Sequence, residues 1–252
     1  MNIVKISIII PYYKKSFFIL DTINSILKQT FNNFEIIIVD DENSDESNQL
    51  LKKILRLDSR IRLLTNEKNI GAGQSRNKAL NFAVGEFIAF CDSDDLWKNE
   101  KLEMQIEFME KNKTDFSFTS YEIVDENNKY LAHRPSKALI NYNDLLNSCD
   151  IGLSTVVLKK NIFDDTKLRF ADLKTKEDYV LWLKIAKKGI KIHGLNKTLT
   201  LWRKTKNSLS SSIFQKLLDG YRVYKIYMNF NYFYSLFYLF KLSINYILKK
   251  YK

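Results

Sequence analysis

Apolar and polar positions come in blocks along the first half of the chain, and the blocks change period. Lys5–Pro11, Phe34–Val39, Ile61–Thr65 and Phe87–Cys91 are short runs dominated by Ile, Val, Leu and Phe. Runs of that length and composition read as strands buried on both faces. Between them, Phe17–Lys28, Ser44 to Leu57 and Gly73 to Val84 place apolar residues at helical spacing. Ser44 supplies an N-cap for the second of these helices, and Gly85 is expected to stop the third. This strand–helix repetition predicts a right-handed, doubly wound sheet. Farther along, Lys98–Lys111 reads as helix, Phe116–Tyr121 as strand and Asp178–Lys188 as an amphipathic helix. Lys191–His193 and Thr198–Arg203 read as two short strands. The stretch from Asp125 to Ile162 is less regular, with a short helix near Asn141–Asn147 and a strand at Thr155–Leu158.

The pattern changes after Ser212. Phe233, Leu236, Phe237, Phe240, Ile244, Ile247 and Leu248 fall on one helical face, with Lys241, Asn245 and Lys249 elsewhere on the wheel. Asn229, Asn231, Ser235, Lys241, Ser243 and Asn245 interrupt the apolar run, which argues against a membrane-spanning helix. The stripe suits packing on the preceding domain or burial in a membrane interface, and the second is favoured. With 2 Pro and 7 Gly and no low-complexity linker, no boundary is expected before this point. Residues 1–212 form one domain and residues 213–252 a basic, aromatic helical tail.

Charge is also unevenly spread. The chain carries +11 overall, but from Leu183 onward 15 Lys and Arg face a single acid, Asp219, giving +14 and leaving −3 for the first 182 residues. A basic tail on a near-neutral body points to an anionic surface, either a membrane or a nucleic acid. Two cysteines, Cys91 and Cys149, do not make a disulfide framework, and a reducing cytoplasm is the expected compartment. The apolar N-terminus lacks a basic leader and a small-residue cleavage site, so it reads as a first strand and not as a signal peptide.

Chemistry concentrates where strands end. Asp40-Asp41 closes the second strand, and Asp92-Ser93-Asp94-Asp95 closes the fourth. In open α/β sheets, ligands bind beyond the carboxyl ends of the strands. Three carboxylates in the second cluster repel one another and imply a counter-ion; a hard divalent cation such as Mg²⁺ or Mn²⁺ suits oxygen ligands and bridges to phosphates. A solvated acidic turn accounts for the tetrad equally well when it is taken alone. Gly71-Ala72-Gly73 is a weak dinucleotide signal, because Arg76 and Asn77 stand where a third glycine is expected. The turn from Asn69 into a helix still suits approach of a phosphate, and Arg76 offers a cation to it. Glu177-Asp178 at a helix start is explained by capping alone. His133 and His193 have no metal-spaced partner and read as structural.

Taken in order, these residues resemble glycosyltransferase family 2. The stretches that carry the resemblance are Ser7-Ile-Ile-Ile-Pro11-Tyr-Tyr13, Ser25 to Phe31 and Ile37-Ile-Val-Asp40-Asp41. They continue with Asn69-Ile-Gly71 through Arg76-Asn77, Gly85 through Asp92-Ser-Asp94-Asp95, and Lys176-Glu177-Asp178-Tyr-x-Leu-Trp182. Trp202-Arg203 with Asn207-Ser208-Leu209-Ser210 resembles a late motif. The resemblance implies a GT-A fold, a Rossmann-like mixed sheet flanked by helices, here with a C-terminal amphipathic helical tail. It implies an inverting transferase that uses a nucleoside diphosphate sugar, UDP-sugar foremost, and a Mn²⁺ or Mg²⁺ ion. By the same resemblance, Asp41 reads the base and Pro11 and Tyr13 line its pocket. Arg76 and Asp92 lie near ribose and diphosphate, Asp94 holds the metal, and Asp178 is the catalytic base. The implied acceptor is a glycan or lipid-linked glycan in bacterial surface polysaccharide (lipopolysaccharide or capsule) synthesis. The enzyme would then sit peripherally on the inner face of the cytoplasmic membrane. The chain departs from the family's usual pattern with Lys14 for Asn, Asn43 for Ser, and Thr205 where a metal-reaching His is frequent. Two other readings compete: a non-catalytic nucleic-acid-binding module using the basic tail, and a metal-dependent phosphatase.

Overall fold

The computed structural model describes residues 4–205 and 212–250. Its first four long strands, β1 (Ile6–Tyr12), β2 (Phe34–Asp40), β3 (Ile61–Thr65) and β4 (Phe87–Phe90), lie parallel in the order β3-β2-β1-β4. Every residue of β1 and β2 is buried, because helices cover both faces of this half. Alternate side chains divide between two cores. Ile8 and Ile10 pack with α1 (Ile19–Leu27), α2 (Asp45–Leu55) and α4 (Lys101–Lys111), whereas Ile9, Ile37 and Val39 pack with α3 (Ala72–Leu80). Ser44 caps α2 by accepting from the Ser47 N–H at 3.1 Å, and the Ser47 hydroxyl reciprocates on the Ser44 N–H.

Beyond β4 the sheet becomes mixed. A two-residue strand β5 (Leu96–Trp97) precedes α4. It is followed by β6 (Phe116–Val124), β7 (Tyr130–Arg134), β8 (Leu139–Ile140), α5 (Tyr142–Asn147), β9 (Val157–Lys159), α6 (Asn161–Thr166), α7 (Glu177–Lys187) and β10 (Ile192–Arg203). The order continues β4-β9-β6-β10-β5, with β9 antiparallel to both of its neighbours. The contiguous parallel run expected from the sequence ends at β4, and parallel pairing returns between β6 and β10. The two short strands expected near the end are one strand, β10, broken in register between Leu195 and Thr200. The polar Asn196-Lys197 pair sits at that irregularity and interrupts the apolar pattern. Gly85 is not a helix cap. α3 ends at Leu80, and Gly85 packs on β1, donating from its N–H to Ser7 Oγ at 2.8 Å. A Cβ there would meet the Ser7 nitrogen at 2.5 Å.

The tail folds back on the domain. α8 (Ile213–Arg222), a π-helical turn at Val223–Tyr227 and α9 (Tyr232–Lys250) bring Val223, Tyr224, Met228 and Leu242 into the core beneath α5 and α7. The Tyr224 hydroxyl donates to the Leu146 carbonyl, and Asn245 Nδ2 donates to the Asn147 carbonyl at 2.8 Å. The buried Asp219 carboxylate accepts from both the N–H and the hydroxyl of Thr175 at 3.0 Å. The apolar stripe is not what docks. Phe233, Leu236, Phe237, Phe240, Ile244, Ile247 and Leu248 all face solvent, while Ser235 and Leu242 are buried.

Candidate active site

Because β1, β2 and β4 are parallel, their carboxyl ends open on one edge, and the sequence-marked residues gather there. Pro11 is buried within β1, and Tyr13 follows it, partly exposed. Lys14 adopts a left-handed backbone (φ 51°) and gives its N–H to Glu42 Oε2 at 2.9 Å. Asn tolerates that conformation far better than Lys, which accounts for the usual Asn here. Asn43, also left-handed at φ 52°, suits its position better than Ser for the same reason.

The two aspartates after β2 do different work. Asp40 holds the turn, accepting from the Glu42 and Asn43 N–H groups and from Ser47 Oγ. Asp41 is buried, and it accepts from Asn66 Nδ2, the Ile70 N–H and the Gly71 N–H, each at 2.8 Å. The turn expected to present N–H groups to a phosphate thus presents two of them to Asp41. Both Asn66 and Ile70 bond Oδ1, and Oδ2 keeps an acceptor position among the described residues. Gly71 is required for its φ of 85°, and Gly73 for space: a Cβ there would lie 3.0 Å from Glu177 Cγ.

Four acids and two cations form the next layer. Arg76 on α3 is buried and bridges Asp92 Oδ1 at 2.6 Å and Glu177 Oε1 at 2.7 Å. Burial works against its charge, and the two carboxylates more than offset this, so its pKa is raised. Lys15 Nζ lies 2.7 Å from Asp94 Oδ2 and donates to Thr205 Oγ1 at 2.7 Å. Burial raises the Asp94 pKa against the pull of Lys15. Asp95 points inward, accepting from Ser154 Oγ at 2.5 Å and from the Arg203 N–H at 2.9 Å, which ties this loop to β10. Burial and then the charges of Asp94 and Asp92 push its pKa well up. The counter-ion implied by the acidic tetrad is thus partly supplied by the chain itself. Lys15, Glu177 and Asp95 carry roles that sequence reasoning did not assign. Proximity to Tyr13 and to Asp178 was the only available signal for the first two.

The donor set admits a hard cation. Asp94 and the partly exposed Asp92 offer carboxylate oxygens, and no group of three or more His, Cys, Asp or Glu stands close enough to cage a metal among the described residues. Mg²⁺ and Mn²⁺ need no such cage, since one or two carboxylates suffice when substrate phosphates complete the shell. The residues present fit that mode.

Asp178 opens α7 after the left-handed Lys176 (φ 65°) and accepts from the Tyr179 N–H at 2.7 Å. Burial, then the neighbouring Glu177 charge, pushes its pKa up to about 7, with Arg76 opposing. The helix is held firmly. Trp182 is fully buried and packs on Phe90, Phe116 and Phe170, which fixes α7 against the strand that carries the acidic loop. His193 and His133 bond Thr114 and Thr198, as the structural reading expected. The Asn207–Ser210 motif lies outside the described residues.

Comparison with known proteins decides the family, because the sequence profile of Glycosyl transferase family 2 matches residues 7–166. The chain belongs to glycosyltransferase family 2. This glycosyltransferase is 43% identical over 216 residues to an Escherichia coli protein named UDP-Glc:alpha-D-GlcNAc-diphosphoundecaprenol beta-1,3-glucosyltransferase WfgD, covering 84% of this chain and 82% of that one. It is 35% identical to the putative teichuronic acid biosynthesis glycosyltransferase TuaG of Bacillus subtilis, covering 87% of each. Among solved structures, S. aureus TarS residues 1–349 with UDP-GlcNAc superposes with a TM-score of 0.73 at 25% identity, over 88% of this chain and 65% of that one. The enzyme has the mixed-sheet GT-A fold of these neighbours. Family membership displaces the nucleic-acid-module and phosphatase readings.

Proposed function

We propose that this glycosyltransferase moves a hexose, with inversion, from a UDP-sugar to a lipid-linked glycan acceptor in surface polysaccharide synthesis. The observation that carries the reading is Asp178. A carboxylate with its pKa near 7 begins α7 and is tied to the Asp92 loop through Glu177 and Arg76. A general base works best when its pKa lies near the working pH. In a single displacement, the acceptor hydroxyl oxygen bonds to the anomeric carbon as that carbon's bond to the diphosphate breaks. The hydroxyl proton passes to Asp178, and the configuration inverts. Asp41 Oδ2 takes a base N–H, Pro11 and Tyr13 line the base pocket, and Asp92 meets the ribose. Arg76 keeps Asp92 and Glu177 in register beside the diphosphate. Asp94 and Asp92 would hold Mn²⁺ or Mg²⁺, which supplies neutralisation of charge developing on the diphosphate.

The named activity of the E. coli relatives supports UDP-glucose as donor and a GlcNAc diphosphate lipid as acceptor. A lipid acceptor also gives meaning to the exposed aromatic stripe. Among the described residues no helix is long and apolar enough to cross a membrane, and the exposed stripe supports a reading of peripheral attachment at the inner face. A donor screen tests the reading. Thermal stabilisation by UDP-sugars with Mn²⁺ should exceed that by GDP-, dTDP- and CMP-sugars, and transfer to a GlcNAc diphosphate lipid should invert the anomeric centre. Preference for another nucleotide, or a retained configuration, would overturn it.

A further inference from the structure

We infer that Lys15 is a built-in competitor for the cation at Asp94, so that a divalent metal binds tightly only together with the nucleoside diphosphate. The inference rests on the proposed reading that Asp94 holds the metal. Lys15 Nζ makes a 2.7 Å ion pair with Asp94 Oδ2, and both side chains are largely buried, at 20% and 15% exposure. Its other partner is the neutral hydroxyl of Thr205, 2.7 Å away. The ammonium therefore lies between Asp94 and the residue that stands where a metal-reaching His is frequent. A doubly charged ion arriving alone has to break the Lys15–Asp94 pair and then sits beside a displaced ammonium. Thr205 cannot compensate that ammonium, and in a partly buried site the repulsion is weakly screened. A diphosphate changes the balance. Its oxygens complete the metal's shell and give the lysine, on a flexible four-carbon stem, a new anionic partner. Lys15 thereby couples metal binding to donor binding, and coupling between two ligands is reciprocal.

The test measures Mn²⁺ binding to the full chain, by the loss of free-Mn²⁺ resonance signal, with and without UDP. Wild type should bind Mn²⁺ weakly alone, and UDP should strengthen that binding by tenfold or more. Lys15→Met should bind Mn²⁺ alone about tenfold more tightly than wild type and lose most of the UDP effect. Lys15→Arg keeps the charge and should behave as wild type, which separates charge from packing. UDP-dependent Mn²⁺ binding that Lys15→Met leaves unaltered overturns this inference and spares the metal assignment. Weaker UDP binding by Lys15→Met with no gain in Mn²⁺ affinity also overturns it, by assigning Lys15 to phosphate alone. Failure of every protein to bind Mn²⁺ with UDP, or Mn²⁺ binding that survives Asp94→Asn, removes the metal site and this inference with it.

Discussion

A base that ionises near pH 7 serves the transferase only when it is unprotonated. Burial and Glu177 set the Asp178 pKa at about 7, so turnover at saturating donor and acceptor should rise with pH through that value and level off above it. Asp178→Asn keeps the shape and the capping ability of the side chain but cannot take a proton. It should cost roughly 10²–10⁴-fold in kcat, leave donor affinity unchanged and abolish the pH step. Near-normal turnover in the Asn variant would reduce Asp178 to a helix cap. The sequence singles out such residues because motif and element boundary coincide, at strand ends for Asp41, Asp92 and Asp94 and at a helix start for Asp178. Lys15 and Glu177 were not legible, because each acquires its role from a partner far along the chain. Arg76 and Glu177 are 101 residues apart, and Lys15 and Thr205 are 190 apart. Local pattern carries no trace of such pairs.

At the scale of elements, what the sequence revealed follows burial. β1 and β2 are buried on both faces, so they read as nearly continuous apolar runs despite Ser7 and Glu35, and the parallel half was predictable to within a few residues. β5 and β8 have two residues each, and β7 is mostly exposed, so none carries a readable period. The mixed character of the second half was therefore hidden from periodicity and available only through family resemblance. Gly85 shows the same limit. Its position after a helix suggested a cap, whereas the real constraint comes from β1, which is distant in sequence. That constraint is steep: a methyl group at Gly85 would meet the backbone of Ser7 at 2.5 Å and of Ile6 at 2.7 Å. Backbone cannot yield as a flexible side chain does. Gly85→Ala should therefore cost about 2–3 kcal/mol, in the range of overpacked cores, read as a lower midpoint in urea unfolding. An unchanged midpoint would show that β1 and the turn before β4 separate freely.

For the whole molecule, the question is how one tail serves two surfaces. Its inner face belongs to the domain. Tyr224 and Leu242 complete the core, and Asp219 accepts from both hydrogen-bond donors of Thr175 just before Glu177-Asp178. Truncation after Ser212 would strip this support and unfold the site along with the tail, so it cannot isolate the outer face. That outer face pairs exposed aromatics with lysines: Lys241 lies 4.6 Å from the Phe237 ring centre, and Lys225 lies 4.3 Å from that of Tyr232. Apolar rings with cations beside them suit an anionic lipid surface, where each Lys near the headgroups is worth about 1 kcal/mol and each buried Phe about 1.5–3 kcal/mol. The rings therefore dominate, and the test belongs on them. The intact chain should bind vesicles containing anionic lipid, and high salt should weaken the binding by removing the lysine share. Replacing Phe233, Phe237 and Phe240 by Ser touches only exposed positions. That variant should keep its melting temperature and its UDP binding but partition into the same vesicles more than tenfold less. If it binds vesicles as well as the parent does, the outer face is not the membrane contact, and the +14 carried from Leu183 onward answers to another anionic partner.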